Sequence, residues 1–202
     1  MTAEIDAGAT RGPGRPREPA TDARILAAAL RLMAQGGYVR MSMEAVAAEA
    51  GVTKPTIYRR YTSKIQLALA AIVAFCDQDP PRSSGATRTD LVAQLRHLRR
   101  ALGRPYGMAL LGTVLAEEHE TPELLASFRE YLVHPRRTAV RAILERARAH
   151  GELPAGADLT LAINMLIGAY YAQYLAGEPF ADDWAERVAD QALASIGWAG
   201  TG

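Results

Sequence analysis

Met43-Glu44-Ala45-Val46-Ala47-Ala48-Glu49-Ala50-Gly51-Val52-Thr53-Lys54-Pro55-Thr56-Ile57-Tyr58-Arg59-Arg60-Tyr61-Thr62-Ser63-Lys64 is the stretch that decides the fold. Val46, Ala47 and Ala50 recur at helical spacing, Ser42 stands where an N-cap is needed, and Gly51 ends the run. Thr53 can cap a second short helix over about residues 54–61. Pro55 is tolerated there because the amides of a first turn have no intrahelical acceptor. Two short helices joined by Gly51-Val52-Thr53 have helix-turn-helix spacing, whose second helix can lie in a major groove. Ile57 and Tyr61, four apart, face inward, which leaves Lys54, Thr56, Tyr58, Arg59 and Arg60 for DNA or for solvent. Lys64 opens the next helix, beside backbone amides free to bind a phosphate. On spacing alone, a DNA-reading helix and an ordinary solvated helical pair both stay open.

On the N-terminal side, Ile25, Ala29, Leu32 and Met33 keep helical spacing from a Thr21 cap to a Gly36-Gly37 stop. On the other side, Ser63 and Gln66 have capping-box spacing and open a fourth helix with Ile65, Leu69, Ile72, Val73 and Cys76 inward. Asp79-Pro80-Pro81-Arg82-Ser83-Ser84-Gly85 breaks the chain. Longer helices follow over residues 90–102, 108 to about 118, 121–150 with a kink near Pro135, 158–176 and 182–196. No segment alternates as a strand does. The expectation is all-α: a basic disordered arm over 1–20, a helix-turn-helix domain over 21–66 with a linking helix to about 78, and a helical C-terminal body over 67–202.

Composition narrows the classes. With 49% apolar and 22% charged residues over 202 positions, the chain has the material for a packed core. The longest apolar run, residues 67–76, is far short of the roughly 18 residues that span a bilayer. The first ten residues carry Glu4 and Asp6 without an apolar block, so no export signal is expected. One cysteine forms no internal disulfide, and a cytoplasmic location follows as the default. The net charge of +1 hides an asymmetry, because residues 11–66 carry +6 and residues 67–202 carry −3. A basic N-terminal third suits an anionic partner, nucleic acid or a membrane surface.

Residues 38–64, ending in Gly51-Val52-Thr53-Lys54-Pro55-Thr56-Ile57-Tyr58-Arg59-Arg60-Tyr61-Thr62-Ser63-Lys64, strongly resemble the DNA-binding domain of TetR-family transcriptional regulators. Ala47-Ala48-Glu49-Ala50-Gly51-Val52 matches that family's second helix and turn, and the resemblance covers about residues 21–76. It implies a homodimer, usually a repressor, that leaves a double-stranded operator when a small molecule binds the C-terminal domain. Thr53, Lys54, Thr56 and Tyr58 match positions that meet bases and phosphates, and Lys64 matches a frequent phosphate contact. With Ser42, Arg59 and Arg60 these residues form the candidate DNA face. The sequence departs from the family at Met41, where Thr is common, at Arg60, where His is frequent, and at Pro55, where Gly is frequent.

The arm adds Arg11-Gly12-Pro13-Gly14-Arg15-Pro16-Arg17, whose Arg15 and Arg17 suit a narrow, A·T-rich minor groove. In the C-terminal body, Met108, Leu111, Leu115, Phe128, Leu132, Met165, Tyr170 and Tyr171 are apolar or aromatic. By resemblance some of them line an effector cavity, with Asn164 and tyrosine hydroxyls as its polar groups. Ile163, Ile167, Tyr170 and Tyr174 form one stripe, and Trp184, Val188, Ala192 and Ile196 form another. Two such helices per subunit can pair into a four-helix dimer bundle, or else pack inside one subunit. His97, His119, His134 and His150 lack metal-ligand spacing, and no nucleophile or phosphate loop is evident, so no metal, cofactor or catalysis is expected.

Overall fold

The computed structural model describes residues 19–76 and 80–200, and every regular element among them is helical. Arg15 and Arg17 lie outside the described residues, as does the side chain of Cys76. Helix α1 (Pro19–Arg40) starts two residues ahead of the expected Thr21 cap and changes direction at Gly37, where φ is 76°. Ile25, Ala28, Ala29, Met33 and Tyr38 are its buried residues.

Helices α2 (Met43–Glu49) and α3 (Lys54–Arg60) follow. Ser42 Oγ accepts the Ala45 N–H at 3.1 Å, so Ser42 alone provides the cap. At the other end, Val52 N–H reaches the Ala47 carbonyl at 2.9 Å and Gly51 N–H the Ala48 carbonyl at 3.1 Å. This is a Schellman ending, and it requires the left-handed φ of 63° that Gly51 adopts. Helix α4 (Lys64–Cys76) opens on a shifted capping box. Gln66 N–H donates to Ser63 Oγ at 3.1 Å, while the Gln66 side chain accepts from Thr62 N–H at 2.6 Å instead of from Ser63.

The remaining helices are α5 (Thr87–Leu102), α6 (Gly107–Ala116), α7 (Pro122–Phe128), α8 (His134–Ala149), α9 (Leu159–Leu175) and α10 (Trp184–Ser195). The expected kink near Pro135 takes the form of a wide π-helical turn, Arg129–Val133, running directly into α8. Pro135 has no N–H to close the ordinary bond to the Tyr131 carbonyl, and His134 N–H instead reaches back five residues to Arg129. Asp90 fixes the loop ahead of α5. It accepts from Ser83 Oγ at 2.6 Å and Ser84 N–H at 2.7 Å, and pairs with Arg146 at 2.6 Å. Burial alone would raise its pKa, but these donors hold it well below the ordinary carboxylate range.

Two apolar cores form. One joins α5, α8, α9 and α10 around Leu98, Leu144, Ile163 and Leu166. The other contains Ile25, Met33, Met41, Ile57, Leu67 and Ile72, and it extends to Leu110 and Val114 of α6 and Leu124 and Leu125 of α7. Packing therefore crosses the boundary expected near residue 66, and α6 and α7 are seated on the N-terminal helices. Met41, where the family often has Thr, is one of this core's fully buried side chains.

Candidate nucleic-acid interface and adjoining cavity

Helix α3 has a single buried anchor, Ile57, with no exposed surface. Around it Thr53, Lys54, Tyr58 and Arg59 are exposed, and Thr56 is half-buried with its hydroxyl 2.9 Å from that of Thr53. Glu44, which the sequence reading did not single out, sits on the same face. Its carboxylate accepts from Tyr58 OH at 3.1 Å and lies 3.5 Å from Lys54 Nζ. That hydrogen bond raises the Tyr58 pKa, keeping the hydroxyl protonated and able to donate. An approaching phosphate would compete with Glu44 for both donors.

Three expected contacts are drawn into the protein. Ser42 is committed to capping α2. Arg60 has a side chain only 10% exposed, with Nε 2.6 Å from Asp22 of α1, so it clamps α3 to α1 and does not extend outward. Lys64 Nζ donates to the Val39 carbonyl at 3.1 Å and lies 4.1 Å from the centre of the Tyr38 ring. Burial lowers its pKa, and Glu117 partly restores it. The basic surplus of the N-terminal third is thus partly structural. Arg24 donates to the carbonyls of Ala50 and Gly51, and Arg31 pairs with Glu49 at 3.0 Å.

Beneath this unit, α4, α6, α7, the wide turn, α8 and α9 line a cavity of about 780 Å³ that is partly open to solvent, with Leu115 and Leu175 exposed at it. Of the expected lining residues, Met108, Leu111, Leu115, Phe128, Leu132, Asn164 and Tyr171 are there. Tyr170 and Met165 are not. The Tyr170 ring stacks on Phe180 at 4.9 Å and meets the edge of Trp184 at 6.1 Å, filling the C-terminal core. Met165 faces outward, 40% exposed. Arg129, Arg136 and Arg137 also line the cavity, and no periodicity in the sequence marks them.

Most residues of the two stripes expected to pair subunits are engaged within the chain itself. Ile163, Trp184, Ala192 and Ile196 are buried in the chain's own C-terminal core. Ile167 and Tyr174 line the cavity. Helical spacing shows that a helix has an apolar face but not what covers it. Val188 remains half-buried in a groove between α9 and α10, with Met165 and Ala169 beside it, and Leu161 is exposed on α9.

The comparisons with known proteins agree with this geometry. Residues 25–71 match the model of bacterial regulatory proteins of the tetR family, and residues 81–192 match the tetracyclin repressor-like C-terminal domain. The DNA-binding transcriptional repressor TetR of Mycobacteroides abscessus is 32% identical over 85% of this chain and 90% of its own. The structure of MexZ, a key repressor responsible for antibiotic resistance in Pseudomonas aeruginosa, superposes with a TM-score of 0.70 at 26% identity, over 87% of this chain and 94% of that one. The flavonoid-responsive regulator FrrA shares the fold, with a TM-score of 0.69 at 24% identity, over 87% of this chain and 94% of its own. The chain belongs to the TetR family and is a DNA-binding transcriptional regulator of the helix-turn-helix type. Among its described residues no helix is long and apolar enough to cross a membrane.

Proposed function

We propose that this regulator is a cytoplasmic homodimeric repressor, without catalytic activity, that a small and largely apolar molecule releases from its operator. One observation carries the reading: the cavity and the DNA-binding unit share walls. Ile72 and Phe75 of α4 and Leu110 of α6 line the cavity. Ile72 and Leu110 also belong to the N-terminal core that holds Ile57 of α3. Thr113 of α6 adds a hydrogen bond to the Met33 carbonyl of α1 at 3.3 Å. A molecule that fits one setting of α4 and α6 better than another shifts the population toward that setting, and α3 moves with it.

Dimerisation supplies the rest. A helix of seven residues reads few bases, so two copies about 34–36 Å apart are needed to select a site. The exposed Leu161 and Met165 and the groove holding Val188 are the surface we assign to the partner subunit. The exposed Thr53, Lys54, Tyr58 and Arg59, with the half-buried Thr56, contact DNA, and Arg15 and Arg17 reach the adjacent minor groove. The test combines a thermal-shift screen with fluorescence anisotropy on the protein's own upstream promoter DNA. Compounds that raise the melting temperature are expected to release the DNA. If such compounds bind in the cavity and leave the DNA affinity unchanged, the ligand-responsive reading is wrong.

A further inference from the structure

The cavity wall is apolar apart from Asn164, Tyr171 and Tyr174 of α9 and the arginines on its α7–α8 side, and the geometry points to an effector with one carboxylate on an otherwise apolar body, held by Arg136 and Arg137. This rests on the cavity being the effector site. Arg136 and Arg137 come from the first turn of α8, and both are half-buried. Neither forms an ion pair with a described carboxylate, and no acidic side chain lines the cavity among the described residues. Arg129 differs, being exposed and 4.0 Å from Glu118.

A guanidinium partly removed from water beside apolar walls gains most from an anion that replaces its lost hydration. His97 on α5 registers the same uncompensated charge. Burial first, and then Arg136, Arg100 and Arg104, push its pKa down. A cationic effector would meet like charge on this side. A phosphate would bring more charge and more oxygens to desolvate than the remaining polar lining groups can serve, whereas a carboxylate offers two oxygens to two forked donors. The Arg136 stem also borders a small void with Leu95, Val140 and Leu166, so part of its role is packing.

The test uses titration calorimetry on the full-length protein with two matched pairs of probes: decanoate with decanamide, and 2-naphthoate with 2-naphthamide. At least one carboxylate is expected to bind about tenfold or more tightly than its neutral amide. In Arg136→Gln/Arg137→Gln that preference should fall to within about twofold while the amide binds as before, which shows an intact cavity. Should the double variant misfold, Arg137→Gln alone, which is absent from the small void, is expected to lose part of the preference. Amides binding as well as carboxylates, a preference that survives both substitutions, or no carboxylate binding at all would each overturn the inference. Promoter displacement is followed separately. Amides that release DNA as well as carboxylates leave the ligand-responsive reading standing without this inference, and carboxylates held by the arginines that release nothing do the reverse.

Discussion

Ile57 and Tyr58 are neighbours with opposite surroundings, and their substitutions should separate folding from recognition. Ile57 is the one buried side chain of α3, so Ile57→Ala leaves a void and is expected to cost about 2–4 kcal/mol in urea denaturation, with loss of DNA binding. Tyr58 is 46% exposed. Tyr58→Phe keeps the ring and removes only the hydroxyl that Glu44 accepts, so the denaturation midpoint should stay in place while promoter affinity falls in an anisotropy titration. A destabilisation comparable to that of Ile57→Ala would move Tyr58 from the interface into the fold. His97 supplies a pH signature. Its pKa is depressed in the folded chain below the ordinary 6.5, so the unfolded chain takes up the proton first. Stability is fully present above pH 6.5 and declines as pH falls toward the folded value. His97→Gln should flatten that part of a melting-temperature profile measured between pH 7.5 and pH 5, and an unchanged slope would locate the titrating group elsewhere.

At the scale of helices, α1 and α6 act as fixtures for the recognition helix. Arg24, Arg31 and Arg60 tie α1, α2 and α3 together, and the most enclosed of these links is Arg60–Asp22. A double-mutant cycle on Arg60→Ala and Asp22→Ala is expected to return a coupling on the order of 1 kcal/mol in stability, and additive effects would show that the clamp contributes nothing. Helix α6 begins where the chain passes very close to itself. A Cβ on Gly107 would stand 2.3 Å from the Leu102 carbonyl oxygen, and Tyr106 just before it already has a φ of 73°. Gly107→Ala must therefore push α6 away from α5. We expect a markedly lower melting temperature and weaker promoter binding, because α6 supports both the cavity wall and α1. A variant with unaltered melting would mean that the α5–α6 loop relaxes freely.

At the scale of the whole molecule, the proposed dimer makes a prediction of its own. Leu161 and Met165 stand out from α9, 53% and 40% exposed, on the side away from the chain's own core. Leu161→Glu/Met165→Glu should convert a dimer to a monomer in sedimentation experiments, keep the helical circular dichroism, and reduce promoter affinity sharply because one short helix no longer has its twin. If the pair of substitutions leaves the dimer intact, the interface lies on another face.

The helix-turn-helix was legible in the sequence because its determinants are local. Ser42 reaches an amide three residues on, Gly51 closes a turn over six residues, and Ile57 is set on the inner face of α3 by the helical period. Seven of the nine residues expected at the cavity do line it, an expectation that came from the family resemblance, but they are a minority of the lining. The tertiary structure alone decided what each face meets. It turned Arg60 toward Asp22 and Lys64 toward Val39, and it buried Trp184 and Ile163 within one chain when the same stripes had been expected to join two. It also brought Arg136 and Arg137 to a cavity that no run of neighbouring residues describes. Periodicity fixes which side chains share a face, whereas the partner of that face depends on contacts between residues far apart in the chain.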